Sequence, residues 1–284
     1  VKVDLEVYHL IERSLQISKI TQGAFDISYG SLDKSLWNFD TQMTQLPTKE
    51  TALKMVHLVN YQNIILDAAN QSVFLKEKGI TVVHVVSSSV FALKAQEAGV
   101  DAVVAEGFEA GGHNGREETT TLTLIPMVKQ KINIPLIAAG GIATGRGMLA
   151  AMALGADGVQ VGSRFAASVE SSAHDNFKEV IVNVKEGDTQ LTLKELAPVR
   201  LVKNKFYNDV QELYAKCPTK EELVALLGRA RAKRGMFEGD LVEGELEIGQ
   251  IAGLINEIQP VKEIINTMIA EFKQAQIEIG QLQF

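Results

Sequence analysis

From Thr81 onward, short unbroken apolar runs alternate with longer stretches in which apolar residues recur every three or four positions. The runs are Thr81-Val-Val-His-Val-Val, Asp101-Ala-Val-Val-Ala, Pro135-Leu-Ile-Ala-Ala and Gly158-Val-Gln-Val. Apolar, mostly branched residues with no polar alternation predict strands covered on both faces, as in a parallel sheet. The intervening stretches, about 88–98, 121–131 and 145–154, have helical spacing. Strand and helix in strict alternation make βαβ units. Right-handed crossovers then bring the C-terminal end of every strand, and the loop after it, to one rim.

The pattern differs on either side of this block. Leu5, Tyr8, Ile11, Leu15 and Ile17 predict an amphipathic helix over 4–20, and Thr21-Gln-Gly breaks it. Pro47-Thr-Lys-Glu predicts a second helix start, with Met55, Val56 and Val59 on its apolar side. Ile64-Ile-Leu and Val73-Phe-Leu, separated by the turn residues Asp67 to Asn70, predict a β-hairpin. Beyond Ser168 the spacing predicts helices over 171–185, 206–215, 219–233 and 260–275, with a glycine- and glutamate-rich loop from Gly235 to Gly253. The expected architecture is therefore α/β, with a small α+β segment over 1–79 and a parallel βα array with helical extension over 80–284.

Composition narrows the function classes. The chain has 284 residues, 46% of them hydrophobic, and a formal charge of −7. With no lysine- or arginine-rich block, nucleic acid and anionic membrane surfaces are not expected partners. No apolar run approaches the ~18 residues of a membrane span. The mixed, acidic start Val-Lys-Val-Asp-Leu-Glu is not that of a secretory signal, and Val1 in place of methionine points to a processed or truncated product. Cys217 is the single cysteine, which excludes an internal disulfide and a cysteine metal cluster and suits a reducing cytoplasm. No histidine and carboxylate group has metal-ligand spacing. His84 falls within an apolar strand and reads as a core histidine, His174 as a capping or packing residue, and His9 and His57 as helix-surface residues.

Three loops follow predicted strands on the rim where parallel α/β sheets bind ligands. Ala105-Glu-Gly-Phe-Glu-Ala-Gly-Gly-His-Asn-Gly115 lets backbone amides of Gly111 and Gly112 approach a ligand while presenting His113. Gly140 and Gly141 end the next strand just before a helix, which leaves free N–H groups suited to a phosphate. Gly162 and Ser163, in Val161-Gly-Ser-Arg-Phe165, add a close-approach amide and a hydroxyl. Two such loops side by side make a phosphate cup.

Taken together, these motifs resemble the nitronate monooxygenase and enoyl-acyl-carrier-protein reductase II family. The residues that carry the resemblance are Glu106–Gly115, Pro135–Ala143 with Gly145-Arg-Gly147, and Leu154-Gly-Ala-Asp-Gly-Val-Gln-Val-Gly-Ser-Arg-Phe165. Glu170-Ser-Ser-Ala-His-Asp-Asn-Phe-Lys178 and Gly249-Gln-Ile-Ala-Gly-Leu254 resemble the reductase branch. The resemblance covers about 80–270 and implies the last four strands of a (β/α) TIM-type barrel, a flavoprotein fold that binds FMN. It places the flavin phosphate against Gly140, Gly141, Gly162 and Ser163, Glu106 near the ribityl chain or ring, and His113 as the catalytic residue beside the flavin. The implied activity is nitronate oxidation with oxygen or NAD(P)H. The alternative is reduction of an enoyl thioester, with NAD(P)H as electron donor.

Residues 1–79 hold no counterpart of the barrel's earlier strands. Thr21–Gly30, Leu36-Trp-Asn-Phe39, Pro47-Thr-Lys-Glu50 and Val59–Leu66 resemble an internal piece of a FAD:protein FMN transferase, without that family's magnesium and lysine-glycine motifs. Phe25 and Trp37 read as core. The chain thus reads as a join near Gly79 of two incomplete enzymes, and an inactive fusion or FMN-binding module is a further alternative. A half-barrel leaves its outer strands unpaired, which invites a homodimer.

Overall fold

The structure, a computed structural model, describes residues 5–22, 61–67, 72–75 and 82–282. The chain divides into two compact units, Val1–Thr81 and Val82–Phe284. In the first, α1 (Leu5–Ile20) occupies the expected helix, and His9 lies on its exposed surface. The expected hairpin is present as β1 (Ile64–Asp67) and β2 (Ser72–Leu75), paired antiparallel with Ile64 opposite Leu75. The helix start at Pro47, His57, Phe25 and Trp37 lie outside the described residues.

The second unit is built on four parallel strands in the order β3 (Val83–Val86), β4 (Ala102–Glu106), β6 (Leu136–Ala139) and β7 (Gly158–Gln160). Val103, Ala105, Leu136 and Ala138 are sealed against Ala92, Leu124, Ile125 and Val128 of α2 (Ser89–Glu97) and α3 (Thr121–Lys129). Polar caps set the helix starts. Ser88 accepts from Phe91 N, Thr144 from Gly147 N at the head of α4 (Gly145–Ala153), and Thr219 forms a reciprocal box with Glu222.

One expectation is overturned at the sheet's margin. β3 was expected to be covered on both faces, yet Val82, Val83 and Val85 are 42–48% exposed, and His84 is exposed rather than core. The reason is position. Only β4 hydrogen-bonds β3 among the described strands, so β3 is an edge.

Beyond β7 the structure departs from an all-helical reading. A one-turn helix, α5 (Ser163–Ala166), follows β7; helix α6 (Asp175–Asn183) is shorter than expected, and His174 caps it by accepting from Asn176 N. Two strands follow, β8 (Thr189–Thr192) and β9 (Val199–Val202), antiparallel to one another. β9 also pairs with β5, the two residues Gly112 and His113, which the sequence placed in an open loop. After α7 (Lys205–Tyr214), the stretch 219–233 is two helices rather than one. These are α8 (Lys220–Leu227) and α9 (Arg231–Met236), broken where Gly228 and Ala230 take positive φ. The last helix, α10 (Val261–Gly280), packs lengthwise on α4.

The three-stranded sheet β5-β9-β8 has a charged centre. Arg200 is 1% exposed, with its guanidinium 4.5 Å from the Phe108 ring and donating to Phe108 O from Nε and Nη2. A buried cation held by a carbonyl and a ring face ties β9 to the loop that carries His113. Among the described residues no helix is long and apolar enough to cross a membrane.

Candidate functional site

A cavity of about 230 Å³ opens at the C-terminal ends of β4, β6 and β7. Six of the residues expected to bind a cofactor line it: Glu106, Gly111, Gly140, Gly141, Gly162 and Ser163. Gly140 and Gly141 take φ of +90° and +69°, and a Cβ on Gly140 would stand 2.7 Å from Gly107 O. Backbone geometry therefore demands glycine there. Gly162 is different. Its φ is −98°, and a Cβ on it would meet nothing within 4 Å. Neither backbone nor neighbours require this glycine; its bare Cα keeps the cavity open.

The N–H groups of Gly141, Ile142 and Gly162 donate to no acceptor among the described residues. Ser163 Oγ accepts from Gly249 N at 3.0 Å, which leaves its O–H free to donate. Among the described residues no lysine or arginine lines the cavity. Neutral donors gathered without cations suit one anionic oxygen cluster, such as a phosphate.

The other side of the cavity is acidic. Glu109 accepts from Thr121 N and Oγ1, so it caps the head of α3, where the Thr120 side chain makes no such bond. Burial raises the Glu106 carboxyl above its ordinary value. Burial also raises Glu247, while His113 nearby acts in the opposite direction. Glu245, two residues back, is pushed up to about 7 by burial and by the Glu247 charge, with Arg231 opposing.

A raised carboxyl pKa means that the folded state holds its proton longer than the unfolded chain does. Stability associated with Glu245 is therefore present at acidic pH and falls as pH rises from the ordinary carboxyl range through about 7. Glu245→Gln is expected to flatten the fall in melting temperature between pH 5 and pH 8, measured by calorimetry. A slope as steep as that of the wild type would show that Glu245 is not its source.

His113 and Gly112 are not on the cavity wall. The His113 side chain is 70% exposed, and its Nδ1 lies 3.9 Å from Glu247 Oε1, whose residue does line the cavity. Gly112, at φ +78°, leaves the room this carboxylate needs, because a Cβ there would stand 3.0 Å from Glu247 Oε2. Sequence reasoning missed Glu109, Gln160, Glu247 and Gly249, all of which line the cavity. Gln160 could have been found, as the last residue of a strand entering the rim. Glu247 could not, since it lies more than 130 residues beyond His113 in a stretch with no periodicity. Among the described residues no cluster of His, Cys, Asp and Glu is placed to hold a metal.

A family model described as nitronate monooxygenase matches residues 41–271. A probable nitronate monooxygenase of Staphylococcus saprophyticus is 37% identical over 174 residues, which are 57% of this chain and 49% of that protein. Among solved structures, FabK from Thermotoga maritima is 45% identical with a TM-score of 0.67, covering 72% of this chain and 65% of that one. Nitroalkane oxidase from Streptomyces ansochromogenes is 29% identical with a TM-score of 0.57, covering 69% and 58%. The chain spans about half the length of the curated relatives it matches.

Proposed function

We propose that this chain, which belongs to the nitronate monooxygenase family, is an FMN-dependent oxidoreductase that oxidises alkyl nitronates with oxygen. In this reading the four parallel strands are a partial (β/α) barrel, and the rim cavity takes the phosphate end of the flavin. The observation that carries it is the group of unsatisfied amides at Gly141, Ile142 and Gly162, beside the Ser163 hydroxyl and the bare Gly162 Cα. The cavity volume fits this assignment. About 230 Å³ exceeds what a phosphate needs and falls short of the roughly 300–1,000 Å³ that encloses a whole cofactor, so in this reading the cavity would take the phosphate end alone.

When bound, FMN would supply the electron acceptor for the nitronate, the anion of a carbon acid, with oxygen as the final oxidant. The chain's own groups do the rest. Backbone amides would hold the phosphate by N–H donation without a cation, and Glu106, whose carboxyl burial raises above its ordinary value, would face the ribityl chain or ring. His113, an imidazole, would donate a hydrogen bond to the nitronate or, where the neutral nitroalkane binds, take its carbon-bound proton. NAD(P)H as donor and an enoyl thioester as substrate form the second reading. It is favoured by Glu170–Lys178, whose His174 caps α6.

The test uses the full chain, incubated with FMN and desalted. Retained flavin with oxygen uptake on adding an alkyl nitronate is the expected result. Anaerobic bleaching by NADH with no nitronate-dependent oxygen uptake would transfer the chain to the reductase reading. A protein that retains no flavin at all is the inactive fusion.

A further inference from the structure

We propose that Glu247 is a positioning residue for His113: its carboxylate faces Nδ1, selects the tautomer protonated there, and leaves Nε2 as the nitrogen that exchanges protons with substrate. Its relevance to turnover rests on the flavoenzyme reading above. The geometry does not. Glu247 Oε1 and His113 Nδ1 are 3.9 Å apart, an ion-pair separation beyond direct hydrogen bonding.

Both partners are fixed by one strand. β9 pairs Val199 with His113 and Arg200 with Gly112, and further along Val202 N donates to Leu246 O at 2.9 Å, next to Glu247. On its other side Glu247 is followed by Gly249 N, bonded to Ser163 Oγ, and Gln250 N, bonded to Glu109 O at 2.9 Å. A carboxylate anchored before and after, across a glycine that leaves it space, is a built contact.

Among the described residues the charged groups around it include Glu106 and Glu109, which line the same cavity. His113 approaches from β5, Glu245 lies on its own segment, and Arg231 of α9 bears on Glu245. The side chain of Glu247 is only 18% exposed, so it meets His113 where solvent screens less than at the His113 ring itself. Across 3.9 Å the carboxylate acts through its charge, which favours the proton at Nδ1 and steadies the imidazolium that forms when the ring takes a proton.

The experiment reads the tautomer directly, by 15N NMR of the histidine-labelled full chain without flavin, above the imidazole titration. Wild type is expected to show His113 mainly as the Nδ1–H form. E247L is expected to shift it toward Nε2–H, with E247Q between the two. E247Q keeps the shape and removes the charge, so it tests the charge apart from the packing that E247L also removes. With FMN bound, E247Q is expected to lower kcat by 10-fold or more, with E247D recovering part of the loss.

Nε2–H in wild type, or one tautomer in all three proteins, overturns the inference. Failure to bind FMN overturns the functional reading alone, because the tautomer is measured without it.

Discussion

Gly162→Asp is expected to strip FMN from the protein while leaving the fold intact. The site has space for the new side chain, since a Cβ at Gly162 meets nothing within 4 Å, and its φ of −98° suits any residue. Stability should therefore stay within about 0.5 kcal/mol of wild type, as for substitutions that bury nothing and break nothing. The carboxylate would stand among amides that we assign to the phosphate, with no lysine or arginine among the described residues of the wall to offset it. Two anions within about 4 Å repel by roughly 1 kcal/mol in water and about 4 kcal/mol at a protein surface. Loss of the phosphate's space and of its Gly162 amide adds to this. A fall in FMN affinity of at least 100-fold is expected by fluorescence titration, with an unchanged melting temperature for the flavin-free chain. Gly162→Ala is the control and should lose 10-fold or less. Full affinity in the aspartate variant would remove the phosphate from this loop.

The βα array was legible because its signals are local. Unbroken runs such as Asp101-Ala-Val-Val-Ala need only burial on both faces to be strands, and Ser88 and Thr144 cap helices whose apolar spacing starts just after them. The glycine loops were legible for the same reason, since a strand end followed by two glycines leaves amides unpaired whatever surrounds it. What the sequence hid is what depends on distant partners. Gly112 and His113 form a strand only because β9 lies alongside, and Thr189–Thr192 carries too few apolar residues to declare itself. The edge position of the first strand was legible from the half-barrel reading, but the exposure of its faces was not. Thr81-Val-Val-His-Val-Val has the composition of an inner strand, and among the described residues it lies at an edge. Glu247 is the extreme case, because its meaning comes from a histidine on another element.

Two glycines near the head of α4 should respond to the same methyl group with opposite sign. A Cβ on Gly145 would run into Met268 O and Phe272 N, both backbone atoms of α10, and into the Glu271 side chain. Gly145 N also donates to Glu271 Oε2 at 2.7 Å, so the two helices meet with nothing between them. Backbone cannot give as a side-chain tip can. The helices must move apart, and overpacking of this kind costs about 3 kcal/mol or more. For a unit of this size, Gly145→Ala is expected to lower the melting temperature by about 6–12 °C. Gly147 is two residues on. Its Cβ would lie 3.4 Å from Thr144 Oγ1 and 3.8 Å from Ile142 Cγ2, ordinary contact distances, and it is already helical. Removing a glycine's excess backbone freedom there should stabilise by about 0.5–1 kcal/mol. The contrast reaches the site, because α4 starts four residues after Gly141, and separation of α4 from α10 shifts the loop that presents the Gly141 and Ile142 amides. Gly145→Ala should therefore lose FMN affinity together with stability, and Gly147→Ala should keep it. Equal melting temperatures for the two variants would mean that the close approach of α4 and α10 does not hold in solution.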